Sequence, residues 1–152
     1  MNRFVFRVML AGLAALAWGA AHAQFADTEQ AIEYRQGVMT VIGYHFGMMG
    51  EVVKGNRDYD PGAFAADAAV VRSVSGLAWE ASLVPGSDRG KTTLKASALE
   101  DREGFLGAAA AFESEMNALD AVAGGGDFDA VKAQFGRTAQ TCKACHNAYR
   151  KQ

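Results

Sequence analysis

Residues 127–150 read DFDAVKAQFGRTAQTCKACHNAYR. Asp127 follows three glycines and offers a side-chain oxygen to the amide protons that a starting helix leaves without partners. Beyond it, Phe128, Val131, Phe135, Cys142, Cys145 or His146, and Tyr149 recur at helical steps, the spacing of one face of an α-helix rather than the alternation of a strand. Such a face needs other elements to cover it.

The rest of the chain supplies them. Turn-like stretches at Gly55–Gly62 (around Pro61) and Pro85–Asp88, together with the run Gly124-Gly125-Gly126, divide it into four segments. Each opens on a start signal: Asp27 with Gln30, Asp60 before Pro61, Ser97 with Glu100, and Asp127. The first carries the stripe Ile32, Arg35, Met39, Ile42, Phe46, Met49, Val53. The second carries a weaker one, Phe64, Ala68, Val71, Ala78, and the third Phe105, Phe112, Met116, Leu119, Ala123. Four helices of about 20 to 27 residues on short links pack as an all-α, antiparallel up-down-up-down four-helix bundle. The link Pro85 to Ala96 is the one irregular piece.

With 152 residues, half of them hydrophobic, the chain is long enough for one domain with a real core. Fifteen basic against 17 acidic residues leave no excess cationic charge to release counterions from a phosphate backbone, which excludes nucleic acid as a partner. Residues 1–23, MNRFVFRVMLAGLAALAWGAAHA, read as a secretory signal peptide cleaved after Ala23, with the mature domain at 24–152 in the periplasm. The apolar run is shorter than the roughly 20 residues of a membrane span, so no membrane anchor is expected. Arg3 and Arg7 are not adjacent, which favours export of an unfolded chain. Their removal takes the formal net charge from −2 to −4 and leaves His45 and His146 as histidines.

Two cysteines are too few for a disulfide scaffold. Cys142-Lys143-Ala144-Cys145-His146 is instead the C-x-x-C-H pattern of covalent c-type haem attachment. Residues three and four apart share a helix face, so both thiols reach one edge of a porphyrin while the imidazole lies under the iron. A redox dithiol prefers a helix N-terminus, and zinc wants a second ligand cluster; neither is present in the pattern. Few residues follow His146, so a second axial ligand has to come from upstream, where Met39, Met48, Met49, Met116 and His45 qualify. A methionine at helical spacing is equally a core residue. Arg35 in an apolar stripe either meets an anion, such as a haem propionate, or carries its charge out to solvent. Arg150, one turn past His146, holds charge near the iron or serves the helix dipole. Gly43 and Gly47 allow close approach of a helix or a haem. Asn56, Asp58, Asp60 and Asp67 mimic a calcium loop, but Pro61 occupies the position that needs glycine.

With these features the mature region resembles the cytochrome c prime family. The resemblance rests on Tyr34-Arg35-Gln36-Gly37-Val38-Met39, His45-Phe46-Gly47, Val53-Lys54-Gly55, Trp79 and Cys142 through Arg150. It departs at Ala96–Glu100, where many members carry tryptophan. The resemblance implies one covalent haem c per chain, with Cys142 and Cys145 as anchors and His146 as the sole protein ligand of a five-coordinate iron. It also implies Met39 as the side chain covering the other face, Arg35 and Gln36 as haem-edge contacts, and Arg150 as proximal charge. The implied work is binding nitric oxide and carbon monoxide in an apolar distal pocket, with electron transfer to a redox partner protein as a second role. No turnover enzyme is implied, and the implied assembly is a homodimer through the first two helices. Low-spin relatives of the same fold use a first-helix methionine as sixth ligand, so a His/Met electron-transfer site with Met39 on the iron is the alternative.

Overall fold

The computed structural model describes residues 25–152; the signal peptide expected at 1–23 and its cleavage after Ala23 lie outside the described residues. The elements are α1 (Thr28–Val53), α2 (Pro61–Val74), the short α3 (Trp79–Ser82) and α4 (Ser97–Glu100), α5 (Arg102–Ala123) and α6 (Phe128–Tyr149). The four long helices form the bundle: α1 packs on α2, α2 on α5, α5 on α6, and α1 also meets α6.

Local chemistry sets the boundaries. The side chains of Asp27, Asp60 and Asp127 accept from the amides of Gln30, Ala63 and Ala130, capping α1, α2 and α6 as the sequence predicts. Pro61 occupies the first turn of α2, where its missing N–H costs nothing. α1 ends on Gly55, whose φ of 79° turns the chain left-handed. The Gly55 and Asn56 amides then donate to the carbonyls of Val52 and Glu51, closing the helix end.

Two expectations need correction. The second helix is only 14 residues long. After Val74, the Ser75 hydroxyl donates back to the Arg72 carbonyl, Gly76 follows, and the chain turns through 75–78 into α3. Ala78 stays buried, but outside the helix. The third long helix starts at Arg102, not Ser97, because Asp101 caps it by accepting from Gly104 N. Ser97 opens only a single turn, and its hydroxyl donates instead to the Ala148 carbonyl.

The core runs along the bundle axis on Met49, Val71, Met116, Leu119 and Val131, each essentially inaccessible. Phe46 stacks on Phe135 at 4.4 Å between ring centroids and joins α1 to α6. Such a pair contributes about 0.5–1.5 kcal/mol beyond its burial. The irregular link that the sequence places at Pro85–Ala96 folds across the end of α6, where Leu94 and Arg150 form an isolated antiparallel bridge.

Candidate functional site

Toward the end of the bundle where α1 begins and α6 ends, the helices part around a cavity of about 760 Å³. Pockets that take drug-sized ligands span about 300–1,000 Å³. Close-packed interiors leave no void of this size to chance. α1 contributes Arg35, Gln36, Met39, Gly43, Phe46 and Gly47 to its wall, and α6 contributes Cys142, Cys145, His146 and Tyr149. Phe105, Ala108 and Phe112 of α5, with Trp79, complete an apolar lining, and Thr92 to Leu94 close the rim beside Arg150.

Every sequence-predicted site residue therefore lines one cavity: Arg35, Gln36, Met39, Cys142, Cys145, His146 and Arg150. The other upstream ligand candidates do not. His45 turns its Nδ1 to Asp67 of α2 at 2.7 Å. The Met48 sulfur accepts from Arg57 Nη1, and Met49 and Met116 are packed into the core. Among the described methionines only Met39 reaches the cavity. Of the residues of the calcium-like loop, Asn56 is committed to Glu51, Asp60 to its helix cap and Asp67 to His45.

Electrostatics narrows what the donor set can do. Cys142 and Cys145 are free thiols one turn apart. Burial, with the neighbouring Cys145 adding to it, pushes the Cys142 thiol up to about 11, and burial raises Cys145 as well. Neither is the easily ionised thiol of a redox pair, which a helix N-terminus rather than a C-terminus produces. Burial and then the nearby charge of Arg150 hold His146 below the usual imidazole range, which keeps it neutral with a lone pair to offer.

Arg35 resolves between its two readings. It is only 6% exposed, so its charge does not escape to solvent. Its guanidinium donates to the carbonyls of Ala81 (3.3 Å) and Ser87 (3.0 Å) and to the Thr92 hydroxyl (2.7 Å). No carboxylate among the described residues pairs with it. Desolvation alone pulls its pKa down. A buried cation satisfied only by neutral acceptors is poised for an anion. Beside it, Gln36 Nε2 donates to the Lys91 carbonyl at 2.7 Å, fastening the rim to α1.

The end of α6 is held by contacts that sequence reasoning missed. The last carbonyls of a helix have no partner within it. Here Lys95 Nζ donates to Asn147 O, Ser97 Oγ to Ala148 O, and Lys95 N to Tyr149 O. The Tyr149 hydroxyl donates to Asp101 Oδ2 at 2.7 Å. Its place on the His146 face was a signal in the sequence; Asp101, 48 residues away, had none. Trp79 is similarly fixed, donating Nε1 to Glu113 at 2.6 Å while its ring meets Phe105 and Phe112 edge-on.

A helical bundle whose last helix sets C-x-x-C-H into the wall of an apolar cavity of this volume defines a class, the four-helix c-type cytochromes. The family model described as Cytochrome C' matches residues 30–150. Cytochrome c' from Alcaligenes xylosoxydans xylosoxydans is 39% identical over 128 residues, 84% of this chain and 98% of that protein. The Rubrivivax gelatinosus protein is 37% identical over the same shares. Among solved structures, cytochrome c prime from Shewanella frigidimarina superposes with a TM-score of 0.81 at 34% identity, covering 84% of this chain and 99% of that one. A nitric oxide complex of a variant cytochrome c prime from Alcaligenes xylosoxidans gives 0.77 at 38% identity, covering 84% and 98%. The chain belongs to the cytochrome c prime family, whose members carry covalently bound c-type haem.

Proposed function

We propose that this protein binds nitric oxide and carbon monoxide at a His146-ligated, five-coordinate haem iron, and that it passes electrons to a redox partner as a second role. The observation that carries the reading is one cavity lined by the C-x-x-C-H residues of α6 on one side and by Met39, Ile42 and Phe46 of α1 on another. The residues fit the group: two thiols one turn apart to tether it, a neutral imidazole next in sequence, and a buried guanidinium without a carboxylate. Bound haem supplies an iron that takes a diatomic gas and a one-electron couple.

The chain's own residues do the rest. Cys142 and Cys145 anchor the macrocycle, and Arg35 with Gln36 receives its propionate edge. Arg150 sets positive charge beside His146, whose pKa is lowered first by burial and then by that charge. Met39 covers the gas-binding face; its neighbours in the wall, Ile42 and Phe46, carry no hydrogen-bond donor, and the Thr40 hydroxyl is already committed to the Gln36 carbonyl. Dioxygen needs polar support that such a face lacks, whereas nitric oxide and carbon monoxide do not.

The protein is a binding and electron-transfer protein rather than a turnover enzyme. It works in the periplasm after loss of residues 1–23, and among the described residues no helix is long and apolar enough to cross a membrane. Tyr34, Val41 and Tyr44 are exposed along α1 and provide the contact surface for a homodimer.

The presence of Met39 alone among the cavity's methionines also supports a second reading, a low-spin His/Met electron carrier with Met39 as sixth ligand. The absorption spectrum of the reduced protein separates the two. An open site gives broad high-spin bands that sharpen and shift under carbon monoxide; sharp low-spin bands indifferent to carbon monoxide would reject it.

A further inference from the structure

Two oxidisable side chains stand in the wall of the cavity, and each directs its proton at a carboxylate. Trp79 Nε1 donates to Glu113 Oε1 at 2.6 Å, and the Tyr149 hydroxyl donates to Asp101 Oδ2 at 2.7 Å. Phe105, also in the wall, lies edge-on to both rings, 6.1 Å from Trp79 and 5.3 Å from Tyr149 between centroids. The three rings make one contiguous aromatic strip.

A buried tryptophan or tyrosine satisfies its N–H or O–H, and a neutral carbonyl is enough for that. A carboxylate does more: besides accepting the hydrogen bond, it can take the proton itself. Among the described residues no cation competes for Glu113 or Asp101. Asp101 is exposed and Glu113 half-buried, so a proton received there reaches water on the outer side of the wall. The other candidates lack these parts. Trp79 is the one tryptophan among the described residues. Tyr34 and Tyr44 are exposed on α1 outside the lining, and the buried Tyr59 hydroxyl has no partner.

Resting on the open-iron reading above, we infer that Trp79 and Tyr149 are redox-active and supply the electrons that disarm a peroxide reacting at the haem, with Glu113 and Asp101 taking their protons. A site open to diatomic gases is open to hydrogen peroxide as well. The peroxide breaks its O–O bond, takes up two electrons and two protons, and leaves as two waters. Trp79 and Tyr149 each give up one electron. Their indole N–H and phenol O–H protons pass to Glu113 Oε1 and Asp101 Oδ2, and solvent delivers two protons to the departing oxygens. The iron ends ferric, as it began. A one-electron reductant of the ascorbate class then restores each side-chain radical, with the proton returning from its carboxylate. The role is protective, because the oxidising equivalents leave the cavity instead of attacking the macrocycle.

The test mixes ferric, haem-loaded protein with equimolar hydrogen peroxide and reads it by freeze-quench electron paramagnetic resonance. Ring-deuterated tryptophan and ring-deuterated tyrosine are expected to narrow separate parts of a protein-radical signal, with Trp79→Phe removing the first and Tyr149→Phe the second. Glu113→Gln keeps an acceptor oxygen for the indole but cannot take its proton, and should cut the Trp79 radical at least about fivefold. Asp101→Asn should act likewise on the Tyr149 radical, while Tyr59→Phe should leave both signals in place. Under repeated peroxide additions, the double variant Trp79→Phe, Tyr149→Phe should lose its haem absorption at least about threefold faster than the parent.

A radical confined to Tyr34, Tyr44, Tyr59 or the porphyrin would overturn the inference, as would undiminished signals in the Gln and Asn variants. Absorption spectra recorded before peroxide keep two failures apart. Missing haem bands, or low-spin bands indifferent to carbon monoxide, sink the open-iron reading; high-spin bands with either radical missing sink only the aromatic pair.

Discussion

Replacing Gly104 with alanine sets two physical effects against each other at the end of the bundle that carries His146. Helix propensity alone makes Gly104→Ala stabilising, by up to about 1 kcal/mol. The structure reverses the sign. A Cβ at this position would sit 2.6 Å from the Tyr149 hydroxyl and 2.8 Å from Asp101 Cγ, and closer still to Asp101 Oδ2. It would therefore occupy the space in which Tyr149 donates to Asp101. Losing a hydrogen bond to a charged acceptor costs about 1.5–3 kcal/mol, so the net effect is destabilisation by about 1–2 kcal/mol once the propensity gain is subtracted. In a domain of this size that lowers Tm by about 3–10 °C. Thermal unfolding of the haem-loaded protein reads the shift, and a double-mutant cycle with Tyr149→Phe isolates its cause. With the hydroxyl already gone, the same alanine should cost much less. A raised Tm for Gly104→Ala, or strict additivity with Tyr149→Phe, would refute the reasoning.

Other outcomes follow from the same geometry. Arg35→Ala removes three donors from buried acceptors and should destabilise the protein by about 3 kcal/mol or more, measured by urea unfolding; a loss under 1 kcal/mol would mean the guanidinium is not anchoring the link that carries Ser87 and Thr92. If Met39 is a steric cover, Met39→Ala should speed carbon monoxide binding at least about tenfold in flash photolysis, a barrier change of about 1.4 kcal/mol, and an unchanged rate would deny it that role. The hydrogen bond to Asp101, and then burial, raise the Tyr149 pKa. Stability from that pairing is fully present below the ordinary phenol value of about 10 and lost as pH climbs through the raised folded-state value. NMR titration of ring-labelled tyrosine should show one late-ionising residue that Tyr149→Phe removes. Tyr44 is 64% exposed on α1, so Tyr44→Glu should shift a homodimer toward monomer in sedimentation velocity without changing the haem spectrum.

The sequence by itself determined the helical character, most helix starts and the chemical identity of the site. Those are local properties: an aspartate three residues before an unpaired amide, an apolar stripe at steps of three and four, two thiols and an imidazole within five positions. It also marked Arg35 as anomalous, because a cation in an apolar stripe conflicts with the pattern around it. Tertiary structure decided what depends on residues distant in the chain. Arg35 is buried because Ala81, Ser87 and Thr92 turn acceptors toward it, and His45 is not a ligand candidate because packing turns it to Asp67 of α2, outside the cavity wall. Ser97 looks like a helix start but closes the end of α6, and Asp101 takes over the cap while receiving Tyr149. The physical reason is common to these cases: a polar group's partner is chosen by which surfaces meet after packing, and periodicity along one segment carries no record of that choice.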